Sequence, residues 1–420
     1  MPASDTLPNL AGEAWLASAA TQRVMAAIEA DGHQVRAVGG VVRNTLMGLA
    51  VTDIDIATTA LPPDLLRLAR AAGLGVVETG LQHGTVTVIA NHQPFEVTTL
   101  RRDVETDGRH ATVAFTDDWT ADARRRDFTM NALYCDRSGR VYDPLGGYAD
   151  IVARRVRFIG EAADRIREDY LRILRFFRFT AQYADGEPDA EGLIACTRWR
   201  EGLAQLSRER VHQEMTRLVT ARRAVEVMTL MQGHGILAAV LPAAPRPAVF
   251  QRLTEIEAAL AWTPDAMLRL AALGVATDED AARIGRAFKV SRNERGVLDL
   301  GADTTARHAT SPPSERAARA LLYRVGSDSY RRLLALSLAR SLSCPTSDQE
   351  WANALTLPAR WTAPKLPVDG ADVMARGVPA GPAVGIALRK AEAWWIEHDF
   401  APGRDELLAR LAAMQLSGTP

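Results

Sequence analysis

Residues 35–58 read V-R-A-V-G-G-V-V-R-N-T-L-M-G-L-A-V-T-D-I-D-I-A-T, and this run constrains the chain more than any other. The apolar stretch Val35–Val38 suits a short strand, Gly39-Gly40 breaks it, Val41 to Met47 suits a helix, and a second strand carries Asp53 and Asp55. Residues two apart on a strand project to the same side, so Asp53 and Asp55 are expected side by side. Clustered carboxylates repel each other, and a cation between them relieves the repulsion. Hard oxygen ligands of this kind suit Mg²⁺, which keeps waters and takes further ligands from phosphates. Gly39 and Gly40 let backbone N–H groups at a helix start approach a phosphate without a side chain intervening. Arg43, one turn along, adds positive charge.

At 420 residues the chain has room for about two to four domains. Its 47% hydrophobic and 24% charged residues are those of an ordinary globular protein. No apolar run reaches the length of a membrane span, and residues 1–10 lack a basic-then-apolar secretory pattern, so a cytoplasmic protein with no membrane partner is expected. Cys135, Cys196 and Cys344 are scattered without metal-type spacing, which argues against a disulfide framework or zinc site. The net charge of −1 does not by itself announce a nucleic-acid partner. Lys289, Lys365 and Lys390 are the only lysines, so arginine carries the positive charge; the bias itself fits a GC-rich genome, but its local clusters need separate reading.

Beyond the aspartates the pattern predicts a helix over 62–72 and strands over 85–89 and 95–100, joined at Asn91-His92-Gln93. Alternation in the second of these strands isolates Glu96 as the acid on its face, a position equally open to a solvent-facing residue. Arg101 to Ala123, polar and containing D-G-R-H at 107–110, is expected to be a mobile loop. Arg124-Arg125-Arg126-Asp127-Phe128-Thr129-Met130-Asn131-Ala132-Leu133 then leads into a strand over 132–135. A turn over 136–140 precedes Asp143-Pro144-Leu145-Gly146-Gly147 with Asp150, which looks architectural.

From Gly160 the pattern is helical. In Glu168-Asp169-Tyr170-Leu171-Arg172-Ile173-Leu174-Arg175 a continuous helix would make Asp169 and Arg172 neighbours. A carboxylate beside a guanidinium can accept from an exocyclic amine and donate to an unprotonated ring nitrogen, the edge that cytosine and adenine share. The same spacing also permits a plain Glu168–Arg172 salt bridge. Ser207 is a plausible N-cap for a helix containing Glu209, Arg210, His212 and Glu214. Helix follows helix beyond Ala221, with breaks at Gly233, Pro242, Pro264, Gly301 and Pro312-Pro313. His398-Asp399 has no companion histidine, which disfavours a metal phosphohydrolase. Gly/Pro-rich turns over 366–372 and 377–385 precede a helix to Trp395; they suit either nucleic-acid backbone contact or mere connection.

Taken together, G-G-x-x-R with D-x-D, the R-R-D-F-T-x-N-A-L string, D-P-x-x-G-x-x-D, E-D-x-x-R and E-R-x-x-x-E resemble the class II tRNA nucleotidyltransferase and bacterial poly(A) polymerase family. That family lies within the DNA polymerase β nucleotidyltransferase superfamily, and the resemblance spans nearly the whole chain. It implies an α+β fold with an N-terminal nucleotidyltransferase head of small mixed sheet (1–158), an all-helical nucleotide-selecting neck (159–225), a body (226–310) and a tail (311–420) that contacts tRNA. It implies Asp53, Asp55 and Glu96 as catalytic carboxylates, with Mg²⁺ on Asp53 and Asp55. By the same resemblance Gly39, Gly40, Arg43, Arg126, Asp127 and Asn131 serve the nucleotide's phosphates and ribose, Asn131 by ordering the backbone. Asp169 and Arg172 would select the base with Arg175 in support, and the Glu209–Glu214 element would brace their helix.

The expected activity is template-independent addition of C and A to the tRNA 3′ end from CTP and ATP, releasing pyrophosphate. A poly(A) polymerase is the nearest alternative, and a catalytically silent RNA-binding protein the next; neither a DNA partner nor a particular oligomeric state is implied. One departure stands out: the family usually carries aspartate where this chain has Asn44.

Overall fold

The structure, a computed structural model, describes residues 7–78, 80–107, 110–303 and 311–416. Its backbone packing divides into two compact units, 1–241 and 242–420. The expected head and the whole of the expected neck lie in the first unit, and the expected neck–body boundary at 225/226 falls inside it.

The first unit is built on a seven-stranded mixed sheet of order β3-β4-β5-β2-β1-β8-β9. Its strands are β1 Val35–Val38, β2 Asp55–Thr58, β3 Gly75–Val77, β4 Thr85–Ala90, β5 Gln93–Thr99, β8 Tyr134–Cys135 and β9 Val141–Tyr142. β2 and β5 run parallel, with Asp55 in register with Glu96. The remaining neighbours are antiparallel. Alternation sets the two faces: Val86, Val88, Phe95 and Val97 are buried while Glu96 is exposed. Asn91 and His92 both have positive φ, 51° and 63°, the geometry of a two-residue hairpin whose twist matches the strands it joins. A core of Val38, Ala57, Leu100, Ala123, Ala132, Tyr134 and Ile159 lies against the sheet.

Three sequence expectations change here. The strand expected to carry both aspartates begins only at Asp55, so Asp53 lies in the irregular segment before it. The segment expected as a mobile loop instead forms a separate antiparallel ribbon, β6 Arg101–Asp107 and β7 His110–Phe115, followed by the helix Trp119–Arg124. Its Thr, Val and Phe residues favour strand pairing although its overall polarity resembles a loop. Of the D-G-R-H motif, residues 108–109 lie outside the described residues. Third, the expected continuous helix through 168–179 is broken: one helix ends at Glu168 and the next spans Leu171–Tyr183. Asp169 is extended (φ −157°, ψ 106°), and its Oδ1 accepts from the Leu171 N–H at 3.1 Å. A short carboxylate side chain competes for backbone donors in this way, favouring helix ends over interiors. The Tyr170 ring fills the space that any side chain at Gly202 would occupy, fixing the break.

Aromatic packing seats the neck helix Leu171–Tyr183 on the head. The Phe158 and Phe176 rings stack with centroids 5.5 Å apart, and Phe128 lies 4.9 Å from Phe179. Such pairs each add about 1 kcal/mol beyond area burial. The D-P-x-x-G-x-x-D element closes the same region. Asp143 accepts from the Gly147 and Tyr148 N–H groups at 2.8 Å, and buried Asp150 accepts from the Thr129 hydroxyl at 2.6 Å and from Arg155 and Arg157.

The second unit is helical throughout its described secondary structure, from Pro247–Ala259 to Arg404–Leu416. Near its end Val368, Val373, Ala391, Trp395, Leu407 and Leu411 form a core. The two Gly/Pro-rich turns open the helices Gly370–Met374, which has an Asp369 capping box, and Pro382–Glu397. Among the described residues no helix is long and apolar enough to cross a membrane.

Candidate active site

The strand–turn–helix that opens the sheet sets the floor of the site. Gly39, with φ 71° and ψ −116°, precedes the helix Gly40–Leu46 and adopts a conformation that an L side chain would strain. A Cβ at Gly39 would lie 3.6 Å from Arg126 Nη1, so the turn runs directly beside that guanidinium. Asp55 and Glu96 stand on neighbouring strands in parallel register. Partial burial raises the Asp55 pKa, the Glu96 and Asp53 carboxylates raise it further, and Arg126 opposes them. Asp53 accepts a 3.0 Å bond from the Thr52 hydroxyl. Among the described residues no three His, Cys, Asp or Glu side chains converge as a ready-made metal cage. An oxygen-only pair of mutually repelling carboxylates nevertheless fits a hard divalent cation that takes its other ligands from water and phosphate.

Arg43 is only 5% exposed. Its guanidinium donates to Asn131 Oδ1, to the Tyr183 hydroxyl at 2.7 Å, and through Nε and Nη2 to Asn44 Oδ1 at 3.1 and 2.8 Å. It also lies 4.0 Å from the Tyr183 ring centroid. The residue expected to meet phosphate is thus a strut between the glycine helix, the Thr129–Asn131 turn and the end of the neck helix, while its edge still faces the cavities.

The arginine string is held by a residue absent from the sequence-based set. Asp122, 1% exposed, accepts from Arg125 Nε at 2.8 Å, Arg126 Nη2 at 3.0 Å and the Tyr134 hydroxyl at 2.8 Å. Burial pushes its carboxyl up, but the Arg126 and Arg125 charges and the Tyr134 hydroxyl outweigh burial and bring it down to about 2. Its spacing of three and four residues before Arg125 and Arg126, at and just past the end of the helix Trp119–Arg124, was the available signal. Asp127 is held comparably: burial raises it, and Arg175, Asn131 Nδ2 at 3.0 Å and the Phe128 N–H at 2.8 Å bring it to about 2.

On the neck, Asp169 and Arg172 are not paired with each other. Asp169 Oδ2 accepts from Arg210 Nη2 at 2.5 Å, and Arg172 Nη1 donates to Glu168 at 2.5 Å. Arg172 and Arg165 also donate to the Arg125 carbonyl, tying the neck to the arginine string. Arg175 grips Asp127 at 2.5 Å, and Glu214 grips Arg178 at 2.5 Å. Arg210 and Glu214, four apart on the helix Arg208–Val219, therefore hold Asp169 and Arg178 from one side. Ser207 occupies the N-cap position without a side-chain bond.

These groups line a cavity of about 520 Å³ whose walls include Arg126, Asp127, Asp169, Arg172 and Arg175. A second cavity, about 670 Å³, includes Asp53, Gln182, Arg217 and Arg222. Gly40, Arg43, Asp55 and Phe179 belong to both walls. Glu96 is on neither. The two cavities thus adjoin at Asp55, each lined by charged and hydrogen-bonding groups.

Two family models match the chain: the poly A polymerase head domain over 35–157, and a probable RNA and SrmB-binding site of polymerase A over 188–246. The mitochondrial CCA tRNA nucleotidyltransferase 1 of Mus musculus is 33% identical over 388 residues, 90% of this chain and 86% of that protein. The CCA-adding enzyme of Geobacillus stearothermophilus is 33% identical over 376 residues, 86% of this chain and 88% of that protein. A crystal structure of the Bacillus stearothermophilus CCA-adding enzyme in complex with CTP superimposes with a TM-score of 0.75 at 27% identity, covering 95% of this chain and 97% of that one. The Thermotoga maritima CCA-adding enzyme complexed with tRNA, 18% identical with a TM-score of 0.68 over 94% of each chain, shares the fold. With motifs, fold and full-length relatives in agreement, this chain belongs to the CCA-adding tRNA nucleotidyltransferase family.

Proposed function

We propose that the protein adds C, C and A to the 3′ end of tRNA from CTP and ATP without a nucleic-acid template, releasing pyrophosphate. The observation that carries this reading is the pair of cavities sharing Asp55, one of them walled by Asp169, Arg172 and Arg175. A transferase needs its nucleotide and its acceptor strand to meet at the catalytic carboxylates, and this geometry supports that meeting. Nucleotidyltransferases of the family generally use divalent metal ions. In our reading Asp53 and Asp55 hold Mg²⁺, with Glu96 in support; when bound, the ion lowers the pKa of the attacking hydroxyl and neutralises developing phosphate charge.

The chain's own residues do the remaining work. Arg126, fixed by Asp122 beside the glycine turn, holds the triphosphate. Asp127, kept ionised, accepts from the ribose and favours ribonucleotides. Asp169 accepts from the exocyclic amine of cytosine or adenine while Arg172 donates to the adjacent ring nitrogen. Guanine and uracil would leave these groups without complementary partners, and sites built so discriminate by factors on the order of 10⁴. The described Asp169–Arg210 and Arg172–Glu168 pairs compete with those contacts, so nucleotide binding exchanges partners at both residues. We place the activity in the cytoplasm, although the mouse relative is named mitochondrial.

A tRNA lacking its last three nucleotides, incubated with each nucleoside triphosphate singly and together, tests the reading. The expected outcome is two C from CTP, then one A from ATP, then arrest, with UTP and GTP poorly used. A long A tract from ATP alone indicates a poly(A) polymerase, and no incorporation indicates a silent RNA binder.

A further inference from the structure

We infer that Asn44 is a positioning residue for Asp53, acting through the carbonyl of Ala50; this rests on the reading of Asp53 as a metal carboxylate. Asp53 is the one catalytic acid not held by strand pairing. It follows an irregular segment that leaves the glycine helix at Gly48, where φ is +67°. The Gly48 N–H bonds the Thr45 carbonyl at 3.0 Å, and past it two hydrogen bonds tie the segment back to the helix, both made by Asn44. Its carbonyl accepts from the Leu49 N–H at 2.8 Å, and its side-chain Nδ2 donates to the Ala50 carbonyl at 2.9 Å.

The orientation of the amide is fixed by its partners. Arg43 offers only donors, so the Asn44 oxygen must face it; a backbone carbonyl only accepts, so the nitrogen must face Ala50. One side chain therefore couples the buried Arg43 strut to the segment that delivers Asp53. An ionised aspartate, which the family usually carries at this position, would keep the contact to Arg43 but could not donate to Ala50 and would repel its carbonyl. The asparagine thus makes a connection that a carboxylate cannot make. Restraining the segment before metal binds reduces the conformational entropy lost when Asp53 is immobilised by the ion.

Asn44→Asp at pH 8 separates the two bonds, because it retains an acceptor for Arg43 and removes the donor to Ala50. Amide hydrogen exchange on the metal-free protein should speed about tenfold at Leu49, whose N–H is bonded to the Asn44 carbonyl, and stay unchanged in β1 and β5. The Mg²⁺ concentration giving half-maximal CTP incorporation should rise several-fold, while the preference for CTP and ATP over UTP and GTP is retained. Asn44→Ala, measured alongside, should show the same exchange change and in addition disturb the Arg43 strut, slowing incorporation at saturating Mg²⁺. Unchanged exchange at Leu49 and an unchanged Mg²⁺ requirement in a folded Asn44→Asp protein would overturn the inference. If Asp53→Ala retains full activity, the metal reading itself fails; if Asp53→Ala is inactive while Asn44→Asp behaves as wild type, only the positioning role fails.

Discussion

On the proposed reading, individual side chains divide into those that meet substrate and those that hold them. Asp53→Ala and Asp55→Ala should abolish incorporation, a loss of several kcal/mol in transition-state stabilisation, with thermal unfolding and tRNA binding nearly unchanged. Both residues are exposed, so removing them leaves no core cavity. Glu96→Gln should slow turnover without altering nucleotide choice, since Glu96 stands beside Asp55 and outside the cavity walled by Asp169 and Arg172. Steady-state rates on all four triphosphates check both expectations. Asp169→Ala should erode discrimination against UTP and GTP more than it slows CTP addition. It also removes the acceptor of the Leu171 N–H, for a stability cost of about 1 kcal/mol. Retained selectivity in that variant would refute the assignment of Asp169 as the base acceptor.

At the scale of elements, the site depends on how closely the helix Gly147–Val152 approaches the turn Thr129–Asn131. Any Cβ at Gly147 would overlap the Thr129 carbonyl, and Asn131, two residues on, joins Asp127 to Arg43. Gly147→Ala should therefore cost about 1–3 kcal/mol and reduce activity although residue 147 lines neither cavity. Chemical denaturation and turnover measured on the same preparation test the link. A variant with lowered stability but unaltered turnover would show that the turn relaxes without moving Asn131. The break at Asp169 is a second case of element geometry serving the site. A continuous helix would have fixed the Asp169–Arg172 spacing, whereas the extended residue leaves Asp169 free to be set by Arg210 from another helix.

For the whole molecule, the depressed carboxyls predict an acid limb of unfolding. Asp122 and Asp127 both fall to about 2 from an ordinary value of 3.8. A folded pKa below the unfolded one means stability present in full above about pH 4 and lost as pH falls through the folded value near 2. Each buried group contributes about 2 kcal/mol by this linkage. Denaturant midpoints should thus fall between pH 5 and pH 2.5, and Asp122→Asn should make that fall shallower. At neutral pH the same variant should lose about 3 kcal/mol, because it removes the buried charge and one of the two acceptor oxygens that Arg125, Arg126 and Tyr134 share. An equally steep acid limb in Asp122→Asn would show that other carboxyls carry it.

Local chemistry alone was enough to read the strand–glycine–helix opening, the alternation that exposes Glu96, the helical remainder and the residue types of the site. These depend on period, on glycine's freedom at positive φ and on the side-chain inventory, all of which are properties of a few neighbouring residues. The family resemblance added the roles proposed for Asp127, Asp169 and Arg172. Tertiary structure decided the rest. Strand pairing, which needs a distant partner, began β2 at Asp55 and turned 101–107 and 110–115 into a ribbon. Burial, which needs the whole core, made Arg43 a strut, and contacts 41 and 140 residues apart brought Arg210 to Asp169 and Tyr183 to Arg43. No local periodicity encodes such pairs, because their free energy comes from desolvating charges that meet only once the chain has folded.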